Sequence, residues 1–146
     1  MPSVHDVLTA KGNSRIESIA PDATVLDAVQ LMNAHKIGAL LVMDDKQFVG
    51  IFTERDVLRR VIAQEKNPRD VTVGSVMTED VICVEPATDL DEVSSIMKTR
   101  KIRHVPVCGG DGKIHGMISI GDVNAAHAST QESHITFLND YIYGRV

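Results

Sequence analysis

Apolar residues recur along this chain with two different periods, and the switches between them mark out its elements. Residues 16–19 (IESI) and 81–84 (VICV) are short, largely apolar runs. Each ends just before a proline, Pro21 or Pro86, whose fixed φ and missing N–H donor stop a strand. Val25, Ala28, Leu31 and Met32 then recur at helical spacing, as do Leu90, Val93, Ile96 and Met97. Gly38 follows the first of these helices where a C-terminal glycine belongs. "ALLVM" and "FVGIF" read as strands around the polar turn Asp44-Asp45-Lys46; "HVPVC" and "IHGMI" read as strands around Gly109-Gly110-Asp111-Gly112. A further helix starts at Thr53 in one stretch and at Ser119 in the other. The predicted order is β-α-β-β-α, written twice.

The duplication is visible residue by residue. PDATVLDAVQLMNAHKIGALLV (21–42) lies over PATDLDEVSSIMKTRKIRHVPV (86–107) at a constant offset of 65. After one inserted residue, VGIFTERDV (49–57) lies over HGMISIGDV (115–123) at an offset of 66, so Gly50, Asp56 and Val57 recur as Gly116, Asp122 and Val123, and Thr53 as Ser119. A preface is repeated as well: SVHDVLT (3–9) resembles TVGSVMT (72–78). One copy cannot bury both faces of a three-stranded sheet, whereas two copies packed face to face can. The expected fold is α/β (α+β), two such repeats related by pseudo-twofold symmetry. Residues 1–66 form repeat one with an N-terminal helix, 67–128 form repeat two, and 129–146 form a helical tail. The polar stretch AQEKNPRDVTVG between the repeats suits a surface connection. In the tail, Ser129 to Glu132 is a capping-box pattern, and Ile135, Leu138 and Ile142 are spaced for one apolar face, with Phe137, Tyr141 and Tyr143 nearby. That face is expected to cover another surface, of its own chain or of a partner's.

Thr53-Glu54-Arg55-Asp56 fits Ser/Thr-x-x-Asp/Glu, the capping box in which hydroxyl and carboxylate reciprocally satisfy the first amides of a helix. Its counterpart is Ser119-Ile120-Gly121-Asp122. Both boxes can serve as helix caps alone, or as caps that also hold a ligand.

Composition narrows the functions open to the chain. It has 146 residues, 43% hydrophobic and 24% charged, which is a folding composition. With five aromatic residues and no Trp it lacks the rings of a single-strand stacking platform, and a formal charge of −5 gives no field to gather nucleic-acid phosphates. No apolar run approaches the roughly 18 residues of a membrane span, and the start of the chain lacks a secretory profile, so a cytoplasmic setting is expected. Cys83 and Cys108 lie 25 positions apart without CxxC spacing and read as buried small hydrophobes rather than a disulfide or metal pair. Met32, Met77, Met97 and Met117 read as core. The six histidines show no HxxxH or HExxH spacing, so no metal is expected. Gly109 to Lys113 reads as a hairpin turn, since no Ser or Thr follows the lysine as a phosphate loop requires. There is no GxSxG, and neither cysteine has an evident activating partner, so no catalytic residue is expected.

The paired motifs resemble the CBS domain family, named for cystathionine β-synthase, in its stand-alone bacterial tandem form. The residues that carry the likeness are Gly38-Ala39-Leu40-Leu41-Val42 with Val49 to Asp56, and Ile102-Arg103-His104-Val105-Pro106-Val107 with His115 to Asp122. The resemblance implies a regulatory module that binds an adenosine-containing ligand, AMP, ADP or ATP, in the cleft between the repeats and relays this to a regulated protein. It also implies a homodimer. Asp56 or Asp122 would accept bonds from the ribose hydroxyls, with charge assistance. Thr53 or Ser119 would serve ribose or phosphate at a helix start. Ile37, Ala39, Ile102, Val105 and Pro106 would form the adenine slot, Arg103 and His104 would meet phosphate, and Lys36, Gly38, Arg55 and Lys101 complete the candidate set. Repeat one has Gly38-Ala39 and Leu41 where repeat two has Arg103-His104 and Pro106, so the two sites are expected to differ in affinity. Two other functions stay open: a ligand-free structural or interaction module, and a metal- or redox-linked stress protein.

Overall fold

A computed structural model of the chain describes residues 2–12 and 17–142, with the backbone alone for residues 130, 132–134, 137, 140 and 141. The helical periodicity becomes α2 (Val25–His35) and α5 (Leu90–Arg100), each burying the face it was expected to bury: Val25, Ala28 and Met32 in one, Leu90, Val93 and Met97 in the other. Thr24 caps α2 by accepting the Asp27 N–H at 3.1 Å, and Asp89 caps α5 by accepting the Asp91 N–H at 2.8 Å. Both helices end on a left-handed lysine, Lys36 (φ 54°) and Lys101 (φ 55°). The left-handed cap expected at Gly38 therefore falls two residues earlier. A Cβ at Gly38 would meet only the Glu54 carboxylate, the end of an exposed side chain that can move away.

The chain divides into two compact units, residues 15–82 and residues 1–14 with 83–146. In the first, β1 (Ser18–Ile19), β2 (Ala39–Asp44) and β3 (Gln47–Thr53) form a sheet in which β1 runs parallel to β2, and β2 pairs antiparallel with β3. Ile16, placed in the first strand by the sequence pattern, lies outside the described residues. In the second, β4 (His104–Cys108) and β5 (Ile114–Ser119) pair antiparallel, and the run expected at 81–84 is reduced to one parallel bridge, Val84 to Val107. The Asp44–Lys46 and Gly109–Gly112 segments are the two hairpin turns. After Thr53, α3 (Glu54–Asp56) passes into a π-helical stretch, Val57–Ile62, in which Ala63 N–H reaches back five residues to Leu58 C=O at 2.9 Å.

The two prefaces are exchanged. Helix α1 (Val4–Ala10) packs in the unit of repeat two, and α4 (Val73–Val76) in that of repeat one. The same backbone bonds hold both. Val4 and His5 N–H donate to Thr88 and Pro86 C=O, each at 2.8 Å, and Val73 and Gly74 N–H donate to Ala23 and Pro21, also at 2.8 Å. In return, Leu90 N–H donates to Pro2 C=O at 3.1 Å and Val25 N–H to Val71 C=O at 2.8 Å. The prolines thus stop a strand and leave carbonyls for an incoming helix. Sequence repeats and compact units divide the chain differently, because each preface helix finds its apolar partners in the opposite repeat. The second half of the linker is likewise no surface connection: Val73 is buried in the core of the first unit, and Val71 packs partly buried against it.

Gly50 and Gly116 recur for the same reason. A Cβ on Gly50 would meet Met77 Sδ and Thr78 C=O, both at 2.8 Å, and one on Gly116 would meet Leu8 Cδ2 at 2.8 Å. Helix α6 (Ile120–Ile142) runs unbroken through the capping pattern at 129–132, so the tail is an extension of the last repeat helix rather than a new one. No glycine or proline between 122 and 142 interrupts it. Ile135, Leu138 and Ile142 on α6 are exposed in the single chain; Tyr143 lies outside the described residues.

At the start of α1, Ser3 and Asp6 form a full capping box. The Ser3 amide, then its hydroxyl, holds the Asp6 carboxyl below the ordinary carboxylate value of 3.8. A depressed folded pKa stabilises at pH above 3.8 and loses that contribution as pH falls through the lower folded value. The Ser3 and Asp6 amide NMR shifts are expected to titrate together with a midpoint below 3.8; a midpoint at or above it contradicts the box.

Candidate functional site

Each repeat brings the start of its second strand to the start of its second helix. Ala39 pairs with Thr53 and His104 with Ser119. The Glu54 N–H donates to Gly38 C=O at 3.0 Å, and the Ile120 N–H to Arg103 C=O at 2.8 Å. Strand entry and helix start are thereby tied together, which gathers Gly38, Ala39, Thr53 and Asp56 in one unit and Arg103, His104, Ser119 and Asp122 in the other. Both expected capping boxes are present. Thr53 N–H donates to Asp56 Oδ2 at 3.0 Å and Asp56 N–H to Thr53 Oγ1 at 3.3 Å; Ser119 N–H donates to Asp122 Oδ2 at 2.8 Å and Asp122 N–H to Ser119 Oγ at 3.2 Å.

The two carboxylates are not equivalent. Asp56 is buried, the one charged side chain so placed among the described residues, and both its oxygens are engaged. Oδ2 also accepts Thr53 Oγ1–H at 3.2 Å, while Oδ1 accepts Thr78 Oγ1–H at 3.1 Å and faces Arg60 Nε at 3.7 Å. Arg60 is itself fixed by donating to Met77 C=O at 2.8 Å and Val76 C=O at 3.2 Å. The Asp122 side chain is 17% exposed against 7% for Asp56. Its partners both use Oδ2: the Ser119 amide and the Lys11 ammonium, the latter at 2.9 Å. Lys11 also donates to Met117 C=O at 3.2 Å. Asp122 Oδ1 takes no hydrogen bond from the described residues. It stands in the first turn of a 23-residue helix, where amides and dipole favour negative charge.

The remaining candidates scatter around these two boxes. Arg103 is exposed and His104 half-buried beside Ser119, whereas Arg55 is exposed on the first turn of α3. Pro106 and Ala39 are buried on their sheets, and Val105 is fully buried in the hydrophobic core of its unit, so its side chain faces no solvent. Ile37 and Ile102 pack partly buried against the two cores, each donating its N–H one turn back, to Met32 and Met97 C=O at 3.0 Å. Lys36, Ile37 and Gly38 line a cavity of about 540 Å³ together with Met32, Glu54 and Val57. Lys101 is exposed as the helix cap. Sequence reasoning missed Lys11, Arg60 and Thr78. The repeated prefaces were the available signal, since Lys11 and Thr78 sit at the ends of the two exchanged segments. Among the described residues no group of three His, Cys, Asp or Glu is placed to hold a metal ion, and no helix is long and apolar enough to cross a membrane.

Comparison with known proteins agrees with this duplicated geometry. The CBS domain family model matches twice, over residues 4–63 and 73–129. The chain is 39% identical to the mitochondrial CBS domain-containing protein CBSX3 of Arabidopsis thaliana over 150 residues, covering 97% of this chain and 72% of that protein. Among solved structures it is similar to a putative signal-transduction protein with CBS domains from Burkholderia ambifaria (TM-score 0.85, 39% identity, 89% of this chain and 96% of that one). It is also similar to a hexameric CBS-CP12 protein from bloom-forming cyanobacteria (TM-score 0.73, 28% identity, 84% of this chain and 66% of that one). With two matched copies, both capping boxes and the shared fold in place, the chain belongs to the CBS domain family as a tandem pair of CBS repeats.

Proposed function

We propose that the protein is a non-catalytic regulatory module that binds an adenine nucleotide, AMP, ADP or ATP, with the ribose held at Asp122. One observation carries this: Asp122 keeps a carboxylate oxygen that takes no hydrogen bond from the described residues, on a partly exposed side chain at the start of a long helix and beside a cation. Vicinal ribose hydroxyls can donate to that oxygen with charge assistance. Ser119 Oγ, Lys11, Arg103 and His104 offer donors to phosphate, at a helix start whose dipole favours negative charge. At Asp56 both oxygens already have partners in the fold, so a ligand there must break Thr53 or Thr78 contacts. The Asp122 site is therefore the tighter of the two.

The same reading makes the module a cytosolic homodimer that passes the bound state to a regulated protein. Leu58 and Ile62 in one unit and Ile135, Leu138 and Ile142 in the other are large apolar side chains exposed in a single chain, and a second copy can remove them from water. The hexameric assembly of a structural relative supports self-association. Ligand acts by binding one arrangement of the module better than another.

A thermal-shift series tests the assignment. Millimolar AMP, ADP or ATP is expected to raise the Tm of the wild-type protein, because a ligand of the native state stabilises by mass action. Asp122→Asn, which keeps shape and removes charge, is expected to reduce the rise to that of the weaker site. A rise of equal size in Asp122→Asn overturns the placement at Asp122, and no rise with any of the three nucleotides overturns the function.

A further inference from the structure

Cys83 and Cys108 lie far apart in sequence and are brought together by the fold. Val84 N–H donates to Pro106 C=O at 3.0 Å and Cys108 N–H donates to Val84 C=O at 2.8 Å, forming the parallel bridge between Val84 and Val107. Both valines are buried in the core of this unit. Side chains alternate along extended chain, so Cys83, one residue before the parallel bridge, and Cys108, one residue after it, project from the same opposite face at diagonal positions. Cys83 is exposed and Cys108 half-buried, contrary to the sequence reading of both as buried small hydrophobes. The Cys108 side chain lies near enough to act on the Cys83 thiol.

We propose that Cys83 and Cys108 form a reversible dithiol–disulfide site, oxidised by low-molecular-weight disulfides. The Cys108 thiolate attacks one sulfur of the small disulfide, forming a mixed disulfide and releasing the other half as a thiolate. The Cys83 sulfur then attacks Cys108 Sγ, its proton passes to the second departing thiolate, and the intramolecular S–S bond closes. The two cysteines lose two electrons and two protons in all, and the small disulfide is reduced to two thiols.

The environment sets this order. Partial desolvation first, then the Cys108 side chain and its charge, push the Cys83 thiol up to about 12, which disfavours Cys83 as the first attacking thiolate. Once Cys108 is in the mixed disulfide its charge is gone, and the second step is eased. Cys83 is also the first residue of its unit after the division at 82/83. The disulfide would clamp that entry segment to β4, where one bridge now holds it.

The test equilibrates the purified full-length protein in glutathione buffers of graded disulfide content, then blocks free thiols with N-ethylmaleimide for intact mass. The expected product is a monomeric chain lighter by two hydrogens that takes up no maleimide. Reduction should restore both reactive thiols. Its Tm is expected to exceed that of the reduced form by roughly 5–10 °C, as for a cross-link closing a loop of this length. Cys83→Ser and Cys108→Ser should each instead capture one glutathione. Mixed disulfides on the wild-type chain without closure, cross-linked dimers, or two thiols that stay free at every ratio would each overturn the proposal.

Discussion

Asp56→Ala is expected to lower the unfolding free energy by about 2–4 kcal/mol, against about 1 kcal/mol for Asp122→Ala. The two residues hold matching places in matching capping boxes, so local helix capping alone predicts equal losses of about 1 kcal/mol. The difference comes from the surroundings. Removing Asp56 leaves the Thr78 hydroxyl, part-buried at 3.1 Å, and the Thr53 N–H without their acceptor, and also takes the carboxylate from beside Arg60, which keeps its two carbonyl bonds. Each buried donor left unsatisfied costs about 1–3 kcal/mol. Asp122 loses the same cap and an ion pair to Lys11 whose side chain is 31% exposed. Such pairs contribute about 0–1 kcal/mol because water and salt screen them. Urea unfolding midpoints of the two variants, at constant m, decide the matter; equal shifts would show that Asp56 is no more than a cap.

Gly50→Ala is expected to cost about 2–3 kcal/mol, and Gly116→Ala below about 1 kcal/mol, although the two glycines are repeat equivalents. At Gly50 the new methyl meets the Thr78 carbonyl oxygen at 2.8 Å. That oxygen accepts Ile51 N–H at 2.9 Å, and Thr78 N–H donates back to Ile51 C=O at 2.9 Å, so the backbone cannot retreat without opening both bonds. At Gly116 the nearest atom is the end of the Leu8 side chain, which can rotate away. The contrast tests the exchanged prefaces directly, because it exists only if α4 covers repeat one and α1 covers repeat two. Thermal unfolding of both variants measures it, and a reversed order would place the prefaces wrongly.

Much of this architecture was legible in the chain. The prolines, the helical periodicity of 25–32 and 90–97, and the two hairpins translate almost residue for residue into α2, α5 and the strand pairs, because each rests on local physics. What the sequence concealed was non-local. Nothing in SVHDVLT says that it will pack on the copy it does not precede, so the compact units cut the chain elsewhere than the repeats do, and the end of the linker is drawn into a core. The left-handed cap moved from Gly38 to Lys36 because spacing identifies the end of a helix only to within a turn. Likewise, Thr53/Asp56 and Ser119/Asp122 read as equals, and only the packing of Thr78 and Arg60 against one, and of Lys11 against the other, separates them. The cysteines were read from spacing alone, which carries no information about a bridge between Val84 and Val107.

Titration calorimetry of the wild-type protein and Asp122→Asn with AMP, ADP and ATP bears most directly on the central claim. For at least one of the three nucleotides the wild type is expected to show two unequal classes of site, and the substitution is expected to remove the tighter class while leaving fold and urea midpoint nearly unchanged. Two identical sites in the wild type, or an unaltered isotherm in Asp122→Asn, would contradict a ribose held at Asp122.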